Sequence, residues 1–313
     1  MTNVGSEELV SFIVFGFNQE AIIHASIDAA FAQTYPNLEI VLSDNCSEDG
    51  TFDVMRRKAE AYDGPHKIRL NRNDRNLGFI GHVNKAFDLC SGAMIVYNPG
   101  DDISVPERTA ELYEAYQRDR PLLVHSDAIE MDADGTVTGR EATRQAYLAS
   151  ITTEEAALSL ALGIGATCAW NPDLVRLFGP ISEEETFDDL VFCFRAILAD
   201  RIAHVPKPLV YYRTGIGLSQ HRADTARGRI KQEHRNAARA VATYRQRLAD
   251  CRRFAPERMD VIRCLEQQLE KSSFKLRVHE NWRKALFESL GSASKMGLGL
   301  SVANRVLKAA RRR

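Results

Sequence analysis

The chain has 313 residues, of which 44% are hydrophobic and 27% charged, and its formal net charge is −1. This composition supports one large buried core and excludes a disordered or low-complexity protein. No apolar run approaches the roughly 18 residues of a membrane span, the N-terminus does not resemble a signal peptide, and the six scattered cysteines form no Cys-x-x-Cys pair, so we expect a cytoplasmic protein with reduced thiols.

Strands and helices alternate along the first hundred residues. The apolar run 10–17 predicts a buried strand, and the next segment places Ile22, Ile27 and Phe31 on one helical face before a stop at Tyr35-Pro36. Further strands are predicted near 38–45, 66–73 and 93–98, with helices starting near 47–50 and covering 79–92. This alternation predicts a mainly parallel α/β sheet.

The alternation loosens beyond residue 104. The predicted elements are, in order, a helix near 106–118, a strand-like stretch at 121–137 with an Asp134-Gly135 turn, a helix across 152–163, a helix beginning near Asp188, a last strand with a glycine-rich loop at 204–220, and basic helices from 222 onward.

Polar residues follow three of the predicted strands. They are Phe17-Asn18, Ser43-Asp44-Asn45 and Gly100-Asp101-Asp102. Open parallel sheets bind ligands outside the carboxyl ends of their strands, so we expect these three segments to meet at one edge.

Two acidic pairs are candidates for chemistry. Asp101 and Asp102 could bind Mg²⁺ or Mn²⁺ together with substrate phosphate oxygens, or they could simply end a strand and cap the helix near Pro106. Asp188 and Asp189 start a predicted helix, where they could complement its dipole or supply a general base.

Two loops are candidates for nucleotide binding. Asp44 or Asn45 could accept hydrogen bonds from a nucleobase or ribose, although a capped loop between strand and helix is the alternative. In the segment 71–87, Asn76, Gly78 and Asn84 stand out, and its arginines could meet phosphate or lie in a solvated turn.

The order and spacing of these segments resemble the family 2 glycosyltransferases, inverting enzymes of the GT-A fold that use nucleotide-diphosphate sugars. The resemblance covers roughly residues 9–221. It rests on "VSFIVFGFNQE", "SDNCSEDGT", "RNLGFIGHVNKAF", "PGDD", "GATCAWNPDLVRLFGP", "FDDLVFCFR" and "YYRTGIGLSQ". The family's metal motif is usually Asp-x-Asp, often with a further Asp. Here Pro99 stands at its first acidic position, which in the family helps to hold the donor ribose, and Asp101 stands at its second.

The resemblance implies a role for each matching residue. Asp189 takes the general-base role and Asp188 the preceding acid position, while Asp101 and Asp102 hold Mg²⁺ or Mn²⁺. Many relatives carry a metal-binding His after the closing Arg; this chain has Thr214 and Gly215 there, which leaves His221 as the nearest candidate. The implied donor-binding residues are Phe17, Asn18, Glu20, Asp44, Asn45, Asn76, Gly78, Asn84, Gly100, Asp101 and Arg213, and the implied acceptor-binding residues are Gly165, Ala166, Thr167 and Trp170.

Charge divides the chain near residue 221. Residues 222–313 hold 23 Lys and Arg against 9 Asp and Glu, whereas residues 1–221 hold 18 against 33. We predict a GT-A catalytic domain over 1–221, with a donor half at about 9–104 and an acceptor half at about 105–221, followed by a basic helical region over 222–313. That region could pack on the catalytic domain, pack on another subunit of a homo-oligomer, or contact an anionic membrane through "LGLSVANRVLKAARRR". Without an aromatic platform or a recognised module, nucleic acid is disfavoured as a partner.

The expected activity is sugar transfer, with inversion, from a nucleotide-sugar donor to a hydroxyl of a glycan or lipid-linked acceptor in surface polysaccharide biosynthesis, at the inner face of the membrane. Two alternatives stay open. The first is a noncatalytic sugar-nucleotide or glycan-binding protein of the same fold, because Pro99 replaces an acid and no His follows Arg213 directly. A sugar-nucleotide nucleotidyltransferase would normally show an early glycine-rich loop followed by Arg and Lys, and "FGFNQEAIIH" shows neither.

Overall fold

The computed structural model describes residues 7–141, 148, 150–216 and 225–288. Nine strands in these residues form one sheet. They are β1 (Val10–Gly16), β2 (Leu38–Asp44), β3 (Lys67–Arg72), β4 (Met94–Pro99), β5 (Ile103–Ser104), β6 (Leu123–Met131), β7 (Val137–Glu141), β8 (Cys168–Trp170) and β9 (Ile202–Arg213). The strand order is β3-β2-β1-β4-β8-β6-β9-β5, and β7 pairs with β6.

Helices cover both faces of the sheet. Within the described residues they are α1 (Ile23–Phe31), α2 (Thr51–Glu60), α3 (Gly78–Leu89), α4 (Arg108–Asp119), α5 (Thr153–Leu158), α6 (Asp173–Phe178), α7 (Asp188–Leu198), α8 (Ala226–Phe254) and α9 (Met259–Glu288), with a 3₁₀ turn at Gly165–Thr167. None of these helices combines the length and apolar character that crossing a bilayer requires.

The first four long strands form the parallel part of the sheet. β1 pairs in parallel with β2 on one side and with β4 on the other, and β2 pairs in parallel with β3. Beyond β4 the sheet is mixed, because β8 runs antiparallel to both β4 and β6, while β6 and β9 are parallel. The carboxyl ends of β1, β2 and β4 therefore lie side by side, as the sequence predicts.

The core has one layer on each face of the sheet. Along β1, Ile13 contributes to one layer, while Phe12 and Val14 contribute to the other, and all three are fully buried. Successive side chains of a strand point to opposite faces, so a strand covered on both sides reads as a continuous apolar run. This explains why "VSFIVFG" shows no alternation.

Helix α8 packs into the same core as the sheet. Its residues Tyr244, Leu248 and Cys251 belong to the layer that contains α7, and all three are buried. The buried Arg195 of α7 forms an ion pair with Asp250 of α8, with 2.8 Å between Nε and Oδ2. The first basic helix is thus in close contact with the predicted catalytic domain, and the boundary near residue 221 stays a prediction from charge.

Helix α5 is shorter than predicted. The apolar pattern of 152–163 favours a helix of three turns, but the helix ends at Leu158 because Ser159 adopts an extended conformation with ψ 133°. The guanidinium of Arg247 on α8 donates hydrogen bonds to the carbonyls of Ala157 and Ser159 at 3.0 and 2.7 Å. A tertiary contact therefore satisfies carbonyls that a longer helix would have bonded internally.

Candidate active site

The turn after β4 carries the first acidic pair. The Asp102 N–H donates to the Pro99 carbonyl at 3.3 Å, which closes the turn around Gly100. A Cβ at Gly100 would lie 2.4 Å from Gln19 Oε1 and 2.6 Å from the Phe15 carbonyl. The turn therefore needs glycine for space, because it packs directly against the end of β1.

Arg213 at the end of β9 fixes this turn from the opposite side. Its backbone N–H donates to Asp102 Oδ1 at 2.7 Å, and its Nε donates to the Asp101 carbonyl at 2.9 Å. A further bond from Nη1 to the Ala133 carbonyl, at 2.8 Å, ties the same side chain to the loop after β6. Arg213 thus holds the Asp102 side chain and the Asp101 main-chain carbonyl, and it leaves the carboxylate of Asp101 available.

The environment of this pair favours a bound cation. Burial raises the pKa of Asp101 above its usual range, an effect that Arg213 only partly offsets. Burial and the neighbouring Asp101 charge raise the pKa of Asp102 well above its usual range. Two adjacent carboxylates that resist ionisation together are stabilised when a divalent cation supplies positive charge between them.

The second acidic pair opens helix α7. Asp188 is 3% exposed, and its Oδ2 is enclosed without a hydrogen-bond partner within the described residues. Burial and the charge of Asp189 raise its pKa well above the usual range. The next residue, Asp189, is more exposed than Asp188. The Oδ1 atom of Asp189 is enclosed as well, so Asp189 is the more exposed of the two residues but does not present its whole carboxylate to solvent.

Tyr97 of β4 lies between the two acidic pairs. Burial raises the pKa of Tyr97 well above its usual range, and the charges of Asp188, Asp101, Asp189 and Asp102 reinforce that shift. Its ring stacks on Trp170 with 4.7 Å between centroids. Gly165 borders both the Tyr97 ring and Asp188, and Tyr97 lies on the strand that leads into the turn with Asp101 and Asp102, so both acidic pairs lie near this ring.

A buried arginine connects these parts. Arg108 of α4 is fully buried, and its Nη2 donates to the Tyr97 carbonyl at 3.0 Å and to the Ala166 carbonyl at 2.6 Å. Its Nη1 donates to Asn98 Oδ1 at 3.1 Å. Burial lowers its pKa to about 10, while the Asp102 charge works in the opposite direction. Arg108 therefore fixes the end of β4 against the 3₁₀ turn.

The loop after β2 lies at the same edge of the sheet as the turn with Asp101 and Asp102. Asp44 is fully buried, and its Oδ2 accepts the Ser47 N–H at 3.0 Å. Asn45 accepts bonds from Asn73 Nδ2 and from the Leu77 N–H, both at 3.0 Å, and donates to Asn76 Oδ1 at 3.0 Å. The side chains of Asp44 and Asn45 therefore stabilise the conformation of this loop through hydrogen bonds.

The sequence profile described as "Glycosyl transferase family 2" matches residues 11–171, which is just over half of the chain. The chain belongs to glycosyl transferase family 2. The matched range contains β1–β4, the turn with Asp101 and the 3₁₀ turn, and it ends before the acidic pair of α7.

Relatives within glycosyl transferase family 2 align over part of their length. The chain is 26% identical over 132 residues to the Escherichia coli UDP-Glc:alpha-D-GlcNAc-diphosphoundecaprenol beta-1,3-glucosyltransferase WfaP, covering 42% of this chain and 50% of WfaP. It is 36% identical over 101 residues to E. coli WfgD, which carries the same enzyme description, covering 32% of this chain and 38% of WfgD. The alignments thus span half or less of these relatives.

Solved structures agree over nearly the whole chain. S. aureus TarS in complex with UDP-GlcNAc superposes with a TM-score of 0.61 at 16% identity, covering 94% of this chain and 79% of TarS. The Pyrobaculum calidifontis mannosyltransferase PcManGT, solved with GDP-Man and Mn²⁺, gives 0.57 at 15% identity, covering 97% and 87%. These likenesses confirm the predicted fold, a GT-A-type α/β sheet followed by C-terminal helices.

Several residues predicted to bind the donor converge at one edge of this family 2 fold. Asn18 accepts the Glu48 N–H through Oδ1 at 2.9 Å, and Glu20 accepts the Gly50 N–H through Oε2 at 3.0 Å. Phe17 is 41% exposed beside them. These bonds hold the end of β1 against the loop after β2, while Gly100 packs against Gln19.

Other predicted residues take supporting positions. Trp170 is 1% exposed and stacked in the core, and Thr167 is fully buried with its hydroxyl donating to the Ile164 carbonyl at 2.8 Å. Neither side chain has surface for an acceptor, so their predicted direct contact is corrected to support of the 3₁₀ turn. Asn84 pairs with the main chain of Ile181 through both ends of its amide, at 2.8 and 3.0 Å. Its predicted donor contact stays a prediction.

Gly165, Ala166 and Gly78 lie close to the predicted site. A Cβ at Gly165 would lie 3.4 Å from the Tyr97 ring and 3.5 Å from Asp188 Oδ2, so this glycine borders the space between the acidic pairs. Ala166 is buried beside Arg108. Gly78 starts α3 with φ 72°, and its carbonyl accepts from Asn45 at 3.2 Å.

The predicted metal ligands are Asp101, Asp102 and His221. His221 lies outside the described residues. Within the described ranges, no group of three or more His, Cys, Asp and Glu side chains is arranged to hold a metal. A cation at a nucleotide site typically takes one or two carboxylates and completes its shell with phosphate oxygens and water. Asp101 and Asp102 fit that donor set.

Sequence reasoning missed four residues that shape the site: Tyr97, Arg108, Phe187 and Arg239. The first two resemble ordinary strand and helix positions. The guanidinium of Arg239 on α8 lies 3.9 Å from the centroid of Phe187, the residue before the acidic pair. Only the length and basic composition of 222–253 hint at such a contact.

Proposed function

We propose that the chain is an inverting glycosyltransferase that moves a sugar from a nucleotide-diphosphate donor to a hydroxyl of a glycan or lipid-linked acceptor in surface polysaccharide biosynthesis. One observation carries this proposal. A Cβ at Gly165 would lie 3.4 Å from the Tyr97 ring and 3.5 Å from Asp188 Oδ2, and Tyr97 lies on β4, the strand that leads into the turn with Asp101 and Asp102. Transfer with inversion needs the leaving diphosphate and the attacking hydroxyl on opposite sides of one carbon, with a charged group serving each.

Asp101 and Asp102 are the residues that would hold Mg²⁺ or Mn²⁺, which supplies positive charge to the departing diphosphate when bound. Arg213 keeps their turn in register. Gly100 lets the turn sit against β1, where a donor nucleotide would lie between Phe17 and the loop after β2.

Asp189 is the proposed general base. Burial and the neighbouring Asp189 charge raise the pKa of Asp188, so the enclosed Asp188 resists ionisation and we assign the base role to the more exposed Asp189. Asp189 then accepts the proton of the attacking hydroxyl, a contribution of about 10²- to 10⁴-fold in rate. The direct displacement requires no covalent intermediate with the chain.

The first test is donor binding. Thermal shift with UDP-, GDP- and TDP-sugars, each with Mn²⁺ or EDTA, should show one nucleotide that stabilises the protein in a cation-dependent way. A donor at 100 times its Kd adds about 2.7 kcal/mol to the free energy of unfolding. No stabilisation by any nucleotide sugar would contradict the proposal, including its noncatalytic alternative.

The second test separates catalysis from binding. Asp189→Asn should keep donor affinity within about twofold and lower transfer by at least about 10²-fold, since it removes the base and keeps the shape. Asp101→Ala should lower cation-dependent donor binding and transfer together. Donor binding by the wild type without transfer or slow hydrolysis would favour a noncatalytic binding protein.

The acceptor and the location are also proposals. WfaP and WfgD are described as acting on GlcNAc-diphosphoundecaprenol, which supports a lipid-linked diphosphate acceptor. A peripheral membrane contact through the basic C-terminus would suit such an acceptor. Flotation with anionic liposomes, for the full chain and for a chain lacking residues 296–313, tests it. Equal flotation of both chains would remove the C-terminal segment from the proposal.

A further inference from the structure

One face of helix α8 follows the segment that leads into the second acidic pair. Gln246 accepts the Ser182 N–H through Oε1 at 2.8 Å, and the hydroxyl of Thr243 bonds that of Thr186 at 2.7 Å. One turn earlier in α8, the guanidinium of Arg239 lies 3.9 Å from the centroid of the Phe187 ring. Positions 246, 243 and 239 repeat at helical spacing, so one face runs beside the chain as it approaches Asp188.

The same helical spacing leads to Arg235. This side chain lies one turn before Arg239 and is exposed. Together with burial, the charge of Arg235 lowers the pKa of Arg239, so the two guanidinium groups are close enough to repel each other. Two guanidinium groups at positions i and i+4 repel each other unless an anion lies between them.

Arg239 itself lacks the partners that a half-buried guanidinium normally has. Its Nε is enclosed, and within the described part of the chain no hydrogen bond or ion pair reaches this side chain. Glu185 and Asp189 are near enough to affect its pKa, which burial nevertheless lowers. An enclosed guanidinium N–H without an acceptor is costly, and an oxyanion ligand would remove that cost.

We infer that Arg235 and Arg239 form a binding site for a phosphate or diphosphate group of the acceptor substrate. The inference rests on the proposed function, because it takes Asp189 as the base that faces the acceptor. On the proposed function, the donor diphosphate belongs at the other acidic pair, Asp101 and Asp102. An anion held by α8 therefore sits on the acceptor side of the reacting carbon. Guanidinium groups suit this role because they bind phosphate oxygens in pairs.

The test measures binding of phosphate compounds to the full chain by calorimetry in EDTA, which prevents cation-dependent binding at Asp101. The probes are inorganic pyrophosphate and n-octyl diphosphate. Arg239→Gln should weaken both by at least about tenfold, and Arg239→Lys by less, since it keeps the charge and loses the fork. Arg235→Gln should weaken both about threefold to tenfold. Arg245→Gln is the matched control, because Arg245 lies on the same helix but pairs with Glu183 at 3.0 Å. It should change neither affinity by more than about twofold.

The outcomes separate the source of the phosphate from its recognition. Tighter binding of octyl diphosphate than of pyrophosphate supports the site with a lipid-linked source, and equal binding supports it with a water-soluble glycan phosphate. Unchanged affinity in Arg239→Gln, or a loss equal to that of Arg245→Gln, overturns the inference and leaves Arg239 as a stacking residue for Phe187.

Two controls keep this test independent of the proposed function. Asp101→Ala should retain pyrophosphate binding in EDTA, and a loss there would assign the anion to the metal turn and overturn the inference. Nucleotide-sugar binding with Mn²⁺ is measured on the same samples. If every sample lacks donor binding, the proposed function fails, whereas donor binding retained by Arg239→Gln with pyrophosphate binding lost supports both proposals.

Discussion

The ion pair between Arg195 and Asp250 offers a direct test of whether helix α8 is an integral part of the catalytic unit. Both side chains are almost fully buried, at 0% and 2% exposure, and they form two bonds of 2.8 and 2.9 Å. Arg195 Nη1 also donates to the Gly179 carbonyl, and Gln246 Nε2 donates to Asp250 Oδ1. The pair thus joins α7, which begins with the proposed base, to α8.

Removing one partner leaves the other charge buried without compensation. Arg195→Met or Asp250→Leu should each lower the free energy of unfolding by about 3–5 kcal/mol. The double variant removes both charges, so it should be within about 1–2 kcal/mol of the wild type. The expected coupling between the two positions is therefore several kcal/mol, far above the scatter of independent sites.

Urea unfolding of the four proteins measures this coupling. The fluorescence of Trp170, which contacts Phe192 of α7 edge to face at 5.0 Å between centroids, reports on the core beside the pair, and Trp282→Phe in all four proteins removes the signal of the second tryptophan. Far-UV circular dichroism follows the helices, and coincident transitions would show that α8 unfolds together with the sheet. Additive losses in the double variant, or single losses below about 1 kcal/mol, would refute the argument, as would separate transitions for fluorescence and dichroism.

Four other predictions address the site. Gly100→Ala should cost about 1–3 kcal/mol of stability, since its Cβ would collide with the Phe15 carbonyl; unchanged urea midpoint and transfer would contradict this. Because the pKa of Asp101 is raised, protons compete with the cation, so Mn²⁺ affinity should fall as the pH is lowered toward about 5, and Asp101→Asn should abolish the rise in Tm with Mn²⁺. Burial lowers the pKa of His82 to about 4, so as the pH falls the unfolded chain protonates this imidazole before the folded chain does. The free energy of unfolding should therefore fall by at most about 3 kcal/mol between about pH 6.5 and 4. His82→Gln should not show this loss. Tyr97→Phe should keep the Tm and reduce transfer about 5- to 10-fold, because it removes the one hydrogen bond, worth about 1–1.5 kcal/mol, that the phenol would donate to a bound substrate; equal transfer would make Tyr97 a packing residue.

The sequence alone predicts that the candidate donor residues meet, because they follow neighbouring parallel strands. Once β1, β2 and β4 are recognised as buried runs, the sheet itself brings Asn18, Asp44 and Asp101 to one edge. The roles of individual side chains were harder to predict. Asp44 and Asn45 are used by their own loop, a choice that depends on where Ser47 and Asn73 lie after folding.

Several contacts of the proposed site join residues that are distant in sequence. Arg239 meets Phe187 across 52 positions, and Arg213 meets Asp102 across 111. No local periodicity encodes such pairs, because each depends on the packing of whole elements. The early end of α5 has the same origin, since its carbonyls bond to Arg247 of α8.

Pro99, which stands where the family resemblance led us to expect an acid, can be understood from its place in the sheet. Pro99 pairs with Phe15 of β1 at the last position of β4, while the pairing of β4 with β8 involves only Ile95 and Val96. A proline lacks an N–H, so it is tolerated where the ladder has ended on one side. Its carbonyl accepts three hydrogen bonds, from the Asp102 N–H at 3.3 Å, the Ser26 hydroxyl at 3.2 Å and the Asn98 side-chain amide at 3.0 Å. The proline therefore exchanges one carboxylate for a rigid turn that presents Asp101 and Asp102. On the proposed function, the donor ribose would then depend on the wall formed by Asn18 and the loop after β2.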